Sequence, residues 1–358
     1  MNNPNKSHFV FNISAHGLGH LAQTIPVIKE LMRLQPNVKV TIVSGISPSK
    51  IKQRLPGCQH IEQSWDFGMV MASSIDVLAN ESMLKYQNLH QQWKEQLYIC
   101  KQFFDSLSPD VLISNIAYLP LLATQHSAYP SVAMCSLNWA DIFYSYCQKY
   151  QDADAIHQQI KESYNAADCF YKITPCMPMS WLTNAIQVDP IAQRGQSVKS
   201  HLLKSLNSSH TRLGLVALGG VKTDIPFDQW PSYFDQAWLV PFETKCKRDD
   251  LISIDQFPYS YLELLSSVDS VITKPGYGLF TEAAYNATPI LYVKRGDWPE
   301  ESFLISWLEK NGVCQAITRE QLFQGNFQAA LATIRAQKHP VPPTLNGVKQ
   351  IVNSLLTL

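Results

Sequence analysis

Residues 269–301 read DSVITKPGYGLFTEAAYNATPILYVKRGDWPEE, and the order of elements within them decides the fold. The pattern predicts a buried strand at 270–273, a glycine-rich turn at 274–278 and a helix over 279–286. A second buried strand follows at 289–293, and then a charged loop. In a parallel strand–turn–helix–strand unit the helix N-terminus points its unpaired N–H groups at the carboxyl edge of the sheet, a corner that binds phosphate. Lys274 stands at the head of this turn, followed by Gly276, Tyr277, Gly278 and Thr281. Glu282, one turn into the helix, is placed to reach the hydroxyls of a ribose carried by that phosphate. The stretch reads as half of a sugar-nucleotide site.

Outward from it, the rest of the second half repeats the alternation. Strands are expected at 212–218, ending in Gly219-Gly220, and at 238–240, 251–254 and 313–317, with a closing helix over about 348–356. The first half has the same rhythm: strands at 8–13, 38–43, 111–114, 131–135 and about 169–174, with helices over 21–34 and about 81–107. Continuous apolar strands alternating with helices predict parallel sheets covered on both faces, and hence an α/β fold with two Rossmann-like domains. The polar stretch between about 188 and 207 breaks the pattern. The expected organisation is a first domain over 1–190, a linker at 191–210, a second domain over 211–343, and a helix at 344–358 crossing back to the first. Two such halves imply a cleft between the carboxyl edges of two sheets, where α/β folds bind ligands.

Composition narrows the function. Hydrophobic residues make up 46% of the 358 and charged residues 16%, enough apolar side chains for two cores and too few charges for disorder. Lysine plus arginine and aspartate plus glutamate both number 29, which argues against a nucleic-acid partner. A neutral chain remains compatible with peripheral membrane contact through a small apolar patch, and no window has the length of a membrane span. The N-terminus lacks the pattern of a signal peptide, and the eight cysteines form no CxxC, so reduced thiols in the cytoplasm are expected.

Other loops at strand ends carry candidate chemistry. After the first strand come Ser14-Ala15-His16-Gly17-Leu18-Gly19-His20, in which the glycines allow close backbone approach and His20 begins a helix. The dinucleotide fingerprint GxGxxG is absent, since Ala22 follows, so a dinucleotide cofactor is not expected. Asn115, Asn138 and Trp139 follow later strands and are placed to meet an acceptor. Asn138 or Asp141 would equally serve as a helix cap. In the second half Phe257 is expected to border a base and Arg295 to add positive charge. Glu300 and Glu301 would act as acceptors for sugar hydroxyls or as a charge pair at a helix start. Asp152-Ala153-Asp154 looks like a metal-binding DxD but falls in a polar helical run, so a solvated face is the better reading.

With these residues in hand, the chain resembles the GT-B glycosyltransferases along nearly its whole length, through HGLGH, the Gly219-Gly220 pair, KPGYGLFTE and ATPILYVKRGDWPEE. It is similar, more narrowly, to the glycosyltransferase-like N-terminal portion of L-arabinokinases, with a matching HGxGH loop and a tryptophan–aspartate segment resembling SLNWADIFY. It resembles, more distantly, UDP-glycosyltransferases. That resemblance implies His20 as general base, with Asp141 the next choice, and Glu282 on the ribose. It puts Lys274 where a phosphate-contacting histidine is usual, and Glu300-Glu301 near the pair that reads the donor sugar. Leu279 and Gly278 replace a usual serine and asparagine. The implied activity is metal-independent transfer of a sugar from a nucleoside-diphosphate sugar, UDP-linked for preference, to a hydroxyl of a small or lipid-linked acceptor. No cofactor beyond that co-substrate is expected. The rival readings are an epimerase or hydrolase of nucleotide sugars on the same fold, and an inactive nucleotide-sugar-binding module.

Overall fold

The computed structural model describes residues 8–206, 210–219, 224–241 and 248–358. The chain divides into two compact units. One holds the described residues through Ala72, Val77–Ile191 and Leu345–Leu358; the other holds Ser73–Asp76 and Ala192–Thr344.

The first unit is built on seven strands: β1 (His8–Ile13), β2 (Lys39–Val43), β3 (Gln59–Ile61), β4 (Val111–Asn115), β5 (Ser131–Cys135), β6 (Cys169–Ile173) and β7 (Ala185–Val188). They lie in the order β3-β2-β1-β4-β5-β6-β7, every pair parallel. β1, β4 and β5 are buried throughout, as sheets covered on both faces require. The edge strands β3 and β7 are not among the sequence expectations, because their short, exposed sequences QHI and AIQV carry no continuous apolar run. The single helix expected over 81–107 is two, Ala79–Gln91 and Trp93–Leu107. At the break Trp93 stacks on His90 with ring centroids 4.6 Å apart, a contact between neighbouring turns that helical periodicity does not encode. The C-terminal helix Gly347–Leu355 packs into this same unit, burying Ile351, Val352 and Leu355, and Tyr171 donates to Ser354 at 2.6 Å.

The second unit has six strands: β8 (Arg212–Ala217), β9 (Gln236–Val240), β10 (Leu251–Ser253), β11 (Ser270–Thr273), β12 (Ile290–Val293) and β13 (Cys314–Ile317). Their order is β10-β9-β8-β11-β12-β13, again all parallel. One face is sealed by a core of Trp230, Trp238, Ile272, Leu291, Phe327 and Leu331 with their neighbours. Residues 192–206, whose polar composition reads as a linker, belong to this unit. Their helix Lys199–Ser205 buries Leu202, and Lys199 pairs with Asp269 at 2.5 Å. Asn286 holds the start of the segment through the Gln193 carbonyl and the Gly195 amide. Lys199 and the backbone of 193–195 are bonded to the unit, while Arg194, Gln196, Ser197 and Ser200 face solvent.

Each sheet reverses its direction of growth beside its first strand, between β1 and β4 and between β8 and β11. At such a switch point the loops leaving the carboxyl ends diverge and open a crevice for a ligand.

Candidate functional site

In the first unit the loop leaving β1 runs to the helix Gly19–Leu34, whose second residue is His20. Gly17 supplies the positive φ, +82°, that the loop requires. Because Ile13 of β1 is paired with Asn115 at the end of β4, the side chains following the two strands meet. His20, only 5% exposed, places Nδ1 2.9 Å from Asn115 Oδ1. The Asn115 amide nitrogen in turn faces the His20 carbonyl at 3.4 Å, Gln23 Oε1 at 3.2 Å and Thr24 Oγ1 at 3.1 Å. Gln23 and Thr24 are themselves fixed, Gln23 donating to Ser136 at 2.8 Å and the Thr24 hydroxyl to the His20 carbonyl at 2.8 Å. With three acceptors around its nitrogen, Asn115 has its oxygen turned to the ring. That oxygen only accepts, so the hydrogen-bond network assigns the proton to His20 Nδ1 and the lone pair to Nε2.

Burial pushes His20 down to about 4, with the Asn115 hydrogen bond opposing less strongly. The imidazole is therefore neutral at pH 7, and burial is the main cause. Asn115, expected to meet an acceptor, instead has its amide committed inside the unit.

Trp139, fully buried, packs against both histidines. Its ring meets that of His16 edge-on at 5.0 Å and that of His20 at 5.8 Å. The indole N–H donates to Asp66 at 2.8 Å. Gly68, with φ +63°, is required beside it, since a Cβ there would fall 2.7 Å from Trp139 and 2.8 Å from His16. Asn138 caps the helix Trp139–Cys147, accepting from the Asp141 amide at 2.8 Å and donating to the Asp141 carboxylate at 2.8 Å. Trp181 donates to the same carboxylate at 3.0 Å. Asn138 and Asp141 thus bond to each other, as a cap. The DxD-like carboxylates accept from Gln87, onto Asp152, and from Tyr144, onto Asp154.

The second unit gathers charge at the corresponding edge. Lys274 follows β11 and lies across Gly219, where a Cβ would fall 3.1 Å from its Cε and where φ is +94°. Gly220 lies outside the described residues. Lys274 is pushed down to about 7, first by desolvation and then by Arg295, while Glu300 and Glu301 act in the opposite direction. The Arg295 guanidinium sits 4.6 Å from the Trp298 ring, and its backbone N–H donates to Glu301 at 2.7 Å. Both glutamates are buried, Glu300 with the Trp298 indole N–H 3.4 Å away.

The helix Tyr277–Tyr285 starts from Gly276 with no side-chain cap, so its first N–H groups are not taken up by a side chain of the N-cap residue. Gly278 lies in its first turn, and the Thr281 hydroxyl bonds back to the Tyr277 carbonyl at 3.0 Å, which spends it inside the helix. Glu282 lies within electrostatic reach of Tyr261. Just before that tyrosine the rings of Phe257 and Tyr259 stack 6.4 Å apart, so an aromatic loop precedes the element facing Glu282.

Sequence reasoning missed Asp66. It stands alone in the loop after β3, and its flanks Trp65 and Phe67 are the one signal that it is enclosed.

No family model matches the sequence. Among curated proteins the chain is similar to L-arabinokinase of Arabidopsis thaliana, 21% identical over 354 residues, covering 95% of this chain and 33% of that protein. It therefore spans one third of the length of the curated relative it matches. Among solved structures it resembles the glycotransferase of kitacinnamycin, with a TM-score of 0.64 at 12% identity over 99% of this chain and 94% of that one. It also resembles Medicago truncatula UGT71G1 complexed with UDP-glucose, at 0.56 and 11% identity over 99% of each chain. A putative UDP-N-acetylglucosamine 2-epimerase from Listeria monocytogenes matches at 0.56 and 13% identity, over 98% and 95%. The fold is that of the GT-B glycosyltransferases, with a parallel α/β sheet in each unit. No described helix is long and apolar enough to cross a membrane.

Proposed function

We propose that this chain is a metal-independent glycosyltransferase, moving a sugar from a nucleoside-diphosphate sugar, UDP-linked for preference, to a hydroxyl acceptor. The observation that carries the reading is the His20–Asn115 pair at the carboxyl edge of β1 and β4. A neutral imidazole with its proton held on Nδ1 presents Nε2 as a base. An acceptor hydroxyl must lose its proton as its oxygen bonds to the anomeric carbon, and Nε2 takes that proton. The bond from the anomeric carbon to the diphosphate breaks at the same centre, and negative charge develops on the leaving oxygen. The start of the helix Tyr277–Tyr285 and Lys274 stabilise that charge, in the manner of preorganised donors at an oxyanion. Glu282 accepts from the ribose hydroxyls, Phe257 borders the base, and Arg295, Glu300 and Glu301 read the donor sugar. His16 and Trp139 line the acceptor side.

The base is weak in its resting state. Asn115 orients the imidazole but carries no charge to stabilise an imidazolium, and burial opposes protonation further.

A thermal-shift screen of nucleoside diphosphates and nucleotide sugars tests the donor class. A ligand held at ~100 times its dissociation constant adds about 2.7 kcal/mol of stability. UDP and UDP-sugars are expected to raise the melting temperature. A flat response to every nucleoside diphosphate would defeat the reading.

A further inference from the structure

In the first unit Asp66 bonds to Trp139, whose ring meets those of His16 and His20, and the mechanism above leaves it unused. It is bonded on two sides. The Trp139 indole N–H donates to Oδ2 at 2.8 Å, and the Ser14 hydroxyl bonds to the same carboxylate. Ser14 also accepts from the His16 amide at 3.3 Å, and its own amide donates to the Asn115 carbonyl at 2.7 Å. Asp66 therefore ties the loop after β3 to the start of the histidine loop after β1 and to the ring after β5. The nearby charge is Lys85, whose Nζ lies 5.4 Å over the ring of the adjacent Phe67. Tyr86, Tyr118 and Tyr164 lie within its electrostatic reach, and burial raises all three well above their ordinary range, so they stay neutral. His90, bonded to Tyr118, is pushed down to about 4 by burial.

A carboxylate in such a place costs stability. Its folded-state proton affinity is raised, to about 6, chiefly by desolvation. The folded chain therefore binds that proton more tightly than the unfolded chain, and stability is lost as pH rises through about 6. The charged form accepts from both donors at once.

We infer that Asp66 is a positioning residue of this site, whose carboxylate gathers the Ser14 hydroxyl and the Trp139 indole and so fixes the wall against which His16 and His20 rest. The inference rests on the reading of His20 as the base. Protonating Asp66 removes one acceptor site and frees the Trp139 ring to shift against both imidazoles. His16 also meets that ring, so Asp66→Asn is the control that assigns the change to Asp66.

The test uses the intact chain with its tryptophans and histidines labelled with nitrogen-15, followed by NMR from about pH 5 to about pH 8. The Trp139 indole resonance, assigned with Trp139→Phe, is expected to move in one step near pH 6, and the His20 ring nitrogens to follow with the same midpoint. In Asp66→Asn both steps should vanish, while the indole signals of Trp230 and Trp238 stay in place. A His20 ring that stays unmoved through the Trp139 step would overturn the inference. So would a step that survives in Asp66→Asn, because it would belong to another group. These signals do not depend on turnover. Failure to release UDP from any donor would count against the transferase reading alone.

Discussion

The two units share one topology and put opposite chemistry on it. In each, the sheet turns back beside its first strand, and the same three positions supply the site: the loops after the first, fourth and fifth strands. In the first unit those loops carry amides, hydroxyls and rings closed into a nearly uncharged network, and burial lowers His20 until it is neutral. In the second they carry Lys274, Arg295, Glu300 and Glu301, and the lysine is lowered both by desolvation and by a like charge. A neutral, oriented imidazole suits proton transfer; a cation beside an uncapped helix start suits a diphosphate. The fold places the loops, and the residues decide which edge takes a proton and which an anion.

The strongest blow to this contrast is His20→Ala. General-base removal typically lowers turnover by ~10²–10⁴. UDP release from a UDP-sugar in the presence of an acceptor should fall by that factor, with His16→Ala costing less. Retention of more than about a tenth of wild-type turnover would transfer the base to another group, Asp141 being next, although its carboxylate is already held by Asn138 and Trp181.

A smaller effect sharpens the other side. Lys274 is lowered to about 7, so it loses its charge in the unliganded protein as pH rises through that value. UDP, which favours the charged form, should bind about tenfold more weakly at pH 8 than at pH 6, a dependence that Lys274→Met abolishes. Calorimetry in the two buffers measures it. Equal affinities for the wild type would mean that Lys274 does not meet the diphosphate.

Much of this fold is legible in the sequence because its strands are buried on both faces. VLIS, SVAMC, SVIT and ILYV are continuous apolar runs bounded by turns, which few other arrangements accommodate. The edge strands β3 and β7 escape notice for the opposite reason, since they are short and not buried on both faces. Loops at strand ends are legible one at a time: HGLGH after β1 and KPGYG after β11 announce themselves by glycines. Residues whose meaning depends on two or three loops were not. Asn115 is read as an acceptor contact until β1 and β4 are seen side by side, and only then does it face His20. Asp66 reaches the site through Ser14 and Trp139, 52 and 73 positions away by their numbers, a separation no local pattern encodes.

The division of labour between the two edges is tested most directly by calorimetric titration of UDP into the wild type, His20→Ala and Glu282→Ala side by side. Loss of a charge-assisted hydrogen bond in a partly dry site costs about 1.5–3 kcal/mol, so Glu282→Ala should bind UDP roughly ten- to a hundredfold more weakly. His20→Ala should bind it as the wild type does. Undiminished UDP affinity in Glu282→Ala together with lost affinity in His20→Ala would place the nucleotide on the first unit and contradict the account.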